Sequence, residues 1–216
     1  HPGAGDDMNP REGRYYFVWY RPVDLDDALP RLCTDASGHQ HGVTIPPPLI
    51  RREVVQDLKA RAEHLLPAPM AAVVHRTRQL LLQAIFDLES PQVVFGRVAL
   101  LGDAAFVARP HVAAGVTKAA LDAQSLVDEL AASPGNLDRA LTHYGDEQRY
   151  FGSRLVERAR LLGAHLEAHP TQSATGSDTI GKWMPESYMR EYGAGDLIAE
   201  RYDRLANPEE PNKVLG

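Results

Sequence analysis

The sequence predicts a mixed α/β fold (α+β), and three stretches predict it. Val98 to Leu101 is a short run, apolar at every position, that ends in Gly102-Asp103, the pattern of a strand buried from both sides. From Gly115 apolar residues recur at helical spacing, and a second helical pattern from Leu137 runs for about thirty residues. Strand, glycine-bearing loop and long helix in succession place Asp103 at the carboxyl end of a strand, where open α/β sheets gather their ligands.

The elements follow in order. Residues 1 to 13 are polar and turn-rich, and Gly3-Ala4-Gly5, with no strand before it and no third glycine, reads as a flexible lead-in rather than a dinucleotide loop. Arg14 to Arg21, aromatic and β-branched, reads as a strand on which Tyr16, Trp19 and Tyr20 share out the two faces, core packing being the commoner use of such residues. Residues 34 to 48 carry Gly38, Gly42 and Pro46-Pro47-Pro48, an irregular connection. A helix follows with Val54, Val55, Leu58, Ala62, Leu65 and Leu66 as its inner face, ended by Pro67 and Pro69. A shorter helix is expected over Met70 to Arg76, a strand over Leu80 to Asp87, and a turn at Ser90-Pro91.

In the helix after Gly115, Val116, Ala119, Ala120, Ala123, Leu126, Val127 and Leu130 read as the core-facing stripe, with Lys118, Asp122, Asp128 and Glu129 on other faces. Its start falls near Ala114 to Thr117. The first amides of a helix lack intrahelical acceptors and its dipole is positive there, so an anionic or strongly dipolar group is stabilised at that end. Asp103 and the helix start could thus grip one ligand at two points, the carboxylate taking a sugar hydroxyl. Ser133-Pro134-Gly135-Asn136 breaks the chain before the long helix, whose inner face is Leu137, Leu141, Tyr144, Phe151, Leu155, Leu162 and Leu166. Residues 171 to 181 read as a linker. Trp183, Met184, Tyr188, Met189, Tyr192, Leu197, Ile198 and Tyr202 then form an aromatic terminal arm that needs cover from its own subunit or from a second copy.

Composition sets bounds. The 216 residues carry a net charge of -6 and 44% hydrophobic residues, enough for a core and unsuited to general nucleic-acid binding. Local basic patches at Arg51-Arg52 and Arg76 to Arg78 stay open. No apolar stretch approaches the roughly 20 residues needed to span a bilayer, so a cytoplasmic protein without membrane contact is expected. The lone Cys33 excludes an internal disulfide and has no recognisable catalytic neighbours. His39 and His41 are spaced for a metal on a strand, but with no second ligand pair a solvated loop is the expectation, and no metal site is assigned. His143, His165 and His169 fall along the long helix, where surface or interface packing is expected.

The string GRVALLGDAAFVARPHVAAGVTKAALDA, residues 96 to 123, resembles the second FAD-binding signature of the aromatic-ring flavoprotein monooxygenases, the group that includes para-hydroxybenzoate hydroxylase. Its Ala-Arg-Pro-His-Val-Ala-Ala-Gly wording is similar to the branch that hydroxylates dihydroxypyridines (2,6-dihydroxypyridine 3-hydroxylase). Looser similarity runs from Val18-Trp19-Tyr20-Arg21-Pro22 to about Ala168. The resemblance implies that Gly102 and Asp103 hold a ribityl hydroxyl of FAD, that Pro110 is the loop proline, and that Ala113, Ala114, Gly115, Val116 and Thr117 lie against the flavin pyrimidine edge. Asp122-Ala123 matches the acidic-Ala pair on the helix. Phe106 stands where the family usually has His, Val112-Ala113-Ala114 where it is Gly-rich, and Thr117 where it has Asn. The family's Gly-x-Gly-x-x-Gly unit and its later Asp-Gly motif do not occur in these residues.

By the same resemblance the chain corresponds to the carboxyl-terminal part of a flavoprotein monooxygenase. It would comprise part of the substrate-binding domain (1–95, sheet plus helices), the second FAD-binding segment (96–133, with the Gly-Asp strand and loop), a long carboxyl-terminal helix (134–169), and a linker with its terminal arm (170–216). The missing amino-terminal half is the implied partner, and the isolated piece is expected to bind FAD poorly and to be inactive by itself. The implied reaction uses NADH or NADPH to reduce FAD, and dioxygen to form a flavin hydroperoxide that hydroxylates an electron-rich aromatic or N-heteroaromatic ring. Substrate contacts are expected from Pro110, His111 and Gln83; His111 could equally be a surface residue, and no catalytic acid or base is identifiable. Two other readings stay open: a non-catalytic structural or dimerisation module, including a homodimer, and a related flavoprotein reductase or halogenase.

Overall fold

The computed structural model describes residues 4–9, 11, 13, 17–168 and 193–206. The chain divides into two compact units, His1–Gln83 and Ala84–Gly216. Each has its own apolar clusters.

In the amino-terminal unit, an irregular stretch over 33–51 joins α1 (Ala28–Leu32) to α2 (Arg52–Leu65), and a short link joins α2 to α3 (Ala68–Arg76). The proline run forms a short 3-10 turn at Pro47–Leu49 and delivers the chain extended into α2, because proline fixes its own φ and restricts the residue before it. Leu66, extended at ψ 150 ahead of Pro67, ends α2. Pro69 sits in the first turn of α3, which therefore opens at Ala68 instead of being delayed to Met70; an amide at that position has no intrahelical partner to lose. One cluster gathers Cys33, Ile45, Ile50 and Val54, and another gathers Ala62, Ala71 and Val74 with Trp19 packed against it.

The expected strands of this unit are corrected. Residues 17–21 form no strand, and Tyr16 lies outside the described residues. Over Leu80 to Asp87 the only pairing among the described residues is an isolated bridge between Gln83 and Thr44. The loop holding His39 and His41 is organised by Asp35. Its carboxylate accepts the Ser37 amide at 2.8 Å, the Ser37 hydroxyl at 2.6 Å and the His39 amide at 3.1 Å, and pairs with His41 Nε2 at 2.8 Å. These bonds, the Ser37 hydroxyl first, hold the Asp35 carboxyl well below the usual carboxylate range.

The carboxyl-terminal unit contains two small antiparallel ladders. β1 (Leu88–Glu89) pairs with β4 (Phe106–Val107), and β2 (Val94–Phe95) pairs with β3 (Val98–Ala99). The unit has three helices, α4 (Gly115–Ala132), α5 (Leu137–Ala168) and α6 (Gly195–Ala206), of which α5 packs on the ladders while α4 and α6 pack on α5 and on each other. The expected strand over Val98 to Leu101, buried from both sides, is corrected. Gly96, at φ 58, turns the chain straight back after β2, so β3 has one ladder neighbour and Val98 is 59% exposed.

The break at Ser133-Pro134-Gly135-Asn136 stands where expected, and Asn136 Oδ1 accepts the Arg139 amide at 3.1 Å to open α5. Leu141, Tyr144, Phe151, Leu155 and Leu162 are buried along α5, as the apolar spacing predicts. Two glycines let the loop segments approach that helix closely: a methyl added at Gly152 would overlap the Phe106 ring, and one at Gly163 would lie 3.1 Å from His111 Nδ1. Phe106, standing where the resembled family has His, is thus a core residue, 1% exposed.

The face of α4 is inverted relative to expectation. Its buried residues are Lys118, Leu121, Asp122 and Ser125, while Val116 is 88% exposed and Ala120, Ala123, Val127 and Leu130 also lie on the exposed side. The inward stripe has helical spacing too, and its charges are admitted because they neutralise and hydrogen-bond one another. Of the terminal arm, Leu197 is buried in one apolar cluster with Phe151, Leu155 and Leu162, Ile198 lies at the edge of that cluster, and Tyr202 is exposed. Trp183, Met184, Tyr188, Met189 and Tyr192, the linker 171–181 and His169 lie outside the described residues.

Candidate functional site

The Gly-Asp pair forms a 3-10 turn, Gly102–Ala104, fastened to the first two turns of α4 through backbone atoms. The Gly102 amide donates to Asp122 Oδ2 at 3.0 Å, and Lys118 Nζ donates to the Gly102 carbonyl at 3.0 Å. Glycine is required here twice over, since φ is +55 and a Cβ would come within 3.3 Å of Ala119 Cβ. With its neighbour's backbone held in this way, Asp103 is presented exposed.

The loop leading to α4 has a second anchor. Asp87, just ahead of β1, accepts Arg109 Nε at 2.8 Å and Arg160 Nη2 at 2.6 Å, and Arg160 also reaches Glu89 at 2.6 Å. The bond from Arg160, then that from Arg109, holds the Asp87 carboxyl below its ordinary range against the opposing effect of burial. Pro110 begins a 3-10 turn to Val112, and Ala113 then takes a left-handed conformation at φ 51, setting Ala114 as the residue before the helix. Among the described residues no side chain caps α4, and its first turn holds no acidic residue. Gly115, Val116 and Thr117 are exposed, and open space surrounds the missing Cβ of Gly115. Among the described residues the amides of this helix start therefore meet no counter-charge, which is what a dipolar or anionic ligand requires.

Behind the turn lies a buried ionic cluster. Lys118 and Asp122, 1% and 0% exposed, pair at 2.6 Å. Gln148, with the amide orientation that satisfies both neighbours, donates to Asp122 Oδ1 at 2.8 Å and accepts from Arg201 Nη2 at 2.6 Å. Arg201, on α6 and 3% exposed, lies 3.6 Å from Asp122 and 3.8 Å from Glu147, with its guanidinium 4.3 Å from the Phe151 ring centroid. Burial lowers the Arg201 pKa, opposed first by Asp122. Tyr144, whose hydroxyl donates to the Leu100 carbonyl at 2.7 Å, has its pKa raised by burial and then by the Asp122 charge.

The residues expected to hold the cofactor, Gly102, Asp103, Pro110 and 113–117, thus stand on one turn, one loop and one helix start of a single unit. His111 is half-buried, its ring beside Gly163 of α5. Gln83 belongs to the amino-terminal unit, bridged to Thr44. Sequence spacing did not reveal Gln148 and Arg201. The only signal was the i, i+4 pair Lys118/Asp122, which reads equally well as a solvated pair.

A family model described as FAD binding domain-like matches residues 1–87, ahead of the Gly-Asp turn. The chain is 26% identical over 178 residues to 2,6-dihydroxypyridine 3-monooxygenase of Paenarthrobacter nicotinovorans, covering 82% of this chain and 44% of that one. It is 34% identical over 130 residues to salicylate hydroxylase of Pseudomonas putida, covering 58% and 27%. Its fold is similar to the structure of 2,6-dihydroxypyridine-3-hydroxylase from Arthrobacter nicotinovorans, with TM-score 0.63, 23% identity and coverage of 72% and 39%. The chain spans less than half the length of each of these relatives. The likeness to aromatic-ring hydroxylases read in residues 96–123 therefore extends over most of the chain, as does the mixed helical fold with small sheets. Among the described residues no helix is long and apolar enough to cross a membrane.

Proposed function

We propose that this chain supplies the flavin-facing turn and loop of an FAD-dependent, NAD(P)H-using monooxygenase that hydroxylates an electron-rich aromatic or N-heteroaromatic ring. The observation that carries it is the Gly102–Asp103 turn clamped to the uncapped start of α4. When bound, FAD supplies electron transfer and dioxygen chemistry. Asp103 would accept a hydrogen bond from a ribityl hydroxyl, and the amides of 114–117 would face the polar edge of the ring system and favour negative charge there, the Ala113 amide being already taken by the Pro110 carbonyl at 2.9 Å. Pro110 borders the aromatic substrate and keeps water from it. The names of the relatives, a dihydroxypyridine monooxygenase and a salicylate hydroxylase, support the substrate class. Adenosine and pyrophosphate contacts come from outside the residues of this site, and the exposed α4 stripe from Val116 to Leu130 is a surface that a dinucleotide-binding part would cover.

The test is a fluorescence titration of the chain with FAD, repeated for Asp103→Ala. The wild-type chain, without the adenosine and pyrophosphate contacts, should quench flavin emission weakly but saturably, and the variant should bind about tenfold more weakly still, the worth of one charge-assisted hydrogen bond. Its unfolding midpoint should move little, because Asp103 is exposed and outside the buried cluster. Equal affinities would remove Asp103 from the site and favour a structural module.

A further inference from the structure

Helix α6 and the Gly102–Asp103 turn share one buried carboxylate. Asp122 Oδ2 is taken by the Gly102 amide and Lys118, while Oδ1 faces the Gln148 amide and Arg201 Nη2. The two oxygens thus report to two different parts of the unit, one to the turn and α4, the other to α5 and α6. The last torsion of an aspartate is soft, so the plane of the carboxylate is set by its partners.

Lys118 alone already neutralises Asp122. Arg201 is a second buried cation at a position where burying charge is costly, and its Nε and Nη1 have no hydrogen-bond partner among the described residues. A methionine could supply its packing on Phe151 without that cost. What the guanidinium adds is direction: through Gln148 it fixes the orientation of Oδ1 and hence of the whole carboxylate.

We propose that Arg201 is a positioning residue for the Gly102–Asp103 turn, acting through Gln148 and Asp122 to fix the acceptor of the Gly102 amide. Its meaning for cofactor binding rests on the flavin reading given above; its geometric core does not.

The experiment compares Arg201→Met, Arg201→Lys and Leu197→Ala in the full chain, under conditions where each is folded. Leu197 is on the same helix, buried in a cluster that does not contain Asp122. Amide hydrogen exchange at Gly102, read by NMR without any flavin, should quicken about tenfold in Arg201→Met and much less in Leu197→Ala. Riboflavin binding should weaken by a similar factor in Arg201→Met, whereas lumiflavin, which has the ring system but no ribityl chain, should bind almost as before. Arg201→Lys, which keeps the charge but not the planar fork, should fall between and carries the comparison if the methionine variant does not fold. Unchanged Gly102 exchange in the Arg201 variants, equal quickening by Leu197→Ala, or equal loss of riboflavin and lumiflavin would overturn the proposal. A wild-type chain that binds neither flavin while its Gly102 exchange still responds to Arg201 would sink the flavin reading and leave the positioning role standing.

Discussion

The side chain of Asp122 receives the amide hydrogen of Gly102 at 3.0 Å across twenty residues of sequence. That bond ties an exposed turn to the interior of the protein. It makes the geometry beside Asp103 depend on the buried charge cluster of Lys118 and Asp122.

Asp122→Asn should therefore be costly. The substitution leaves Lys118 buried without its counter-ion and Arg201 with Glu147 alone, 3.8 Å away, and breaking one side of a buried pair costs about 3–5 kcal/mol. Urea unfolding should show that loss, with a fall in Tm of roughly 10 °C for a chain of this size. A change within the scatter of surface substitutions would mean that the cluster is hydrated.

Gly152→Ala pits two known effects against each other. In an exposed helix interior alanine stabilises by about 1 kcal/mol over glycine. At Gly152 the new methyl would overlap the buried Phe106 ring, and overpacking costs about 1–3 kcal/mol. Net destabilisation is expected, relieved in part by Phe106→Leu in the double variant. Chemical denaturation of the three variants checks it.

Ala113 holds φ 51 without being glycine. The left-handed conformation costs an L-residue about 1–2 kcal/mol, more than the roughly 0.4–1 kcal/mol of added unfolded-state freedom that glycine brings. Ala113→Gly should raise stability slightly, and Ala113→Val should lower it. Thermal unfolding of the pair tests the loop conformation, and a destabilised glycine variant would contradict it.

Asp87 gives the carboxyl-terminal unit an acid limit. Its folded pKa is depressed, first by the Arg160 hydrogen bond. Its stabilisation is therefore present above the unfolded value of about 3.9 and is lost as pH falls through the folded value. Asp87→Asn should be less stable than wild type at neutral pH, with the gap closing in strong acid. Paired urea titrations at neutral and acid pH measure it, and a constant gap would show that the ion pairs do not contribute.

The fold was legible where one apolar stripe had no rival. The inner residues of α5 stood out because its opposite face is charged, and prolines marked the ends of α2, although Pro69, read as a breaker, lies inside the first turn of α3. For α4 the length was legible and the orientation was not: Lys118, Asp122 and Ser125 recur at the same period as the apolar stripe, and spacing cannot say which set is satisfied inside. The burial of Arg201 depends on partners on α4 and α5, so nothing local to α6 announces it. The loop and turn of the candidate site were readable because glycine, proline and a helix start constrain the backbone within a few residues. The packing of His111 against Gly163 depends on a distant glycine and was not.

The most direct test is where FAD touches the chain. In ¹H–¹⁵N spectra recorded during an FAD titration, the amides of Asp103 and of residues 113–117 should shift together along one saturating curve, with Asp103→Ala weakening that curve. Shifts confined to residues 1–87, the span of the FAD binding domain-like match, with 103 and 113–117 unmoved, would contradict the account.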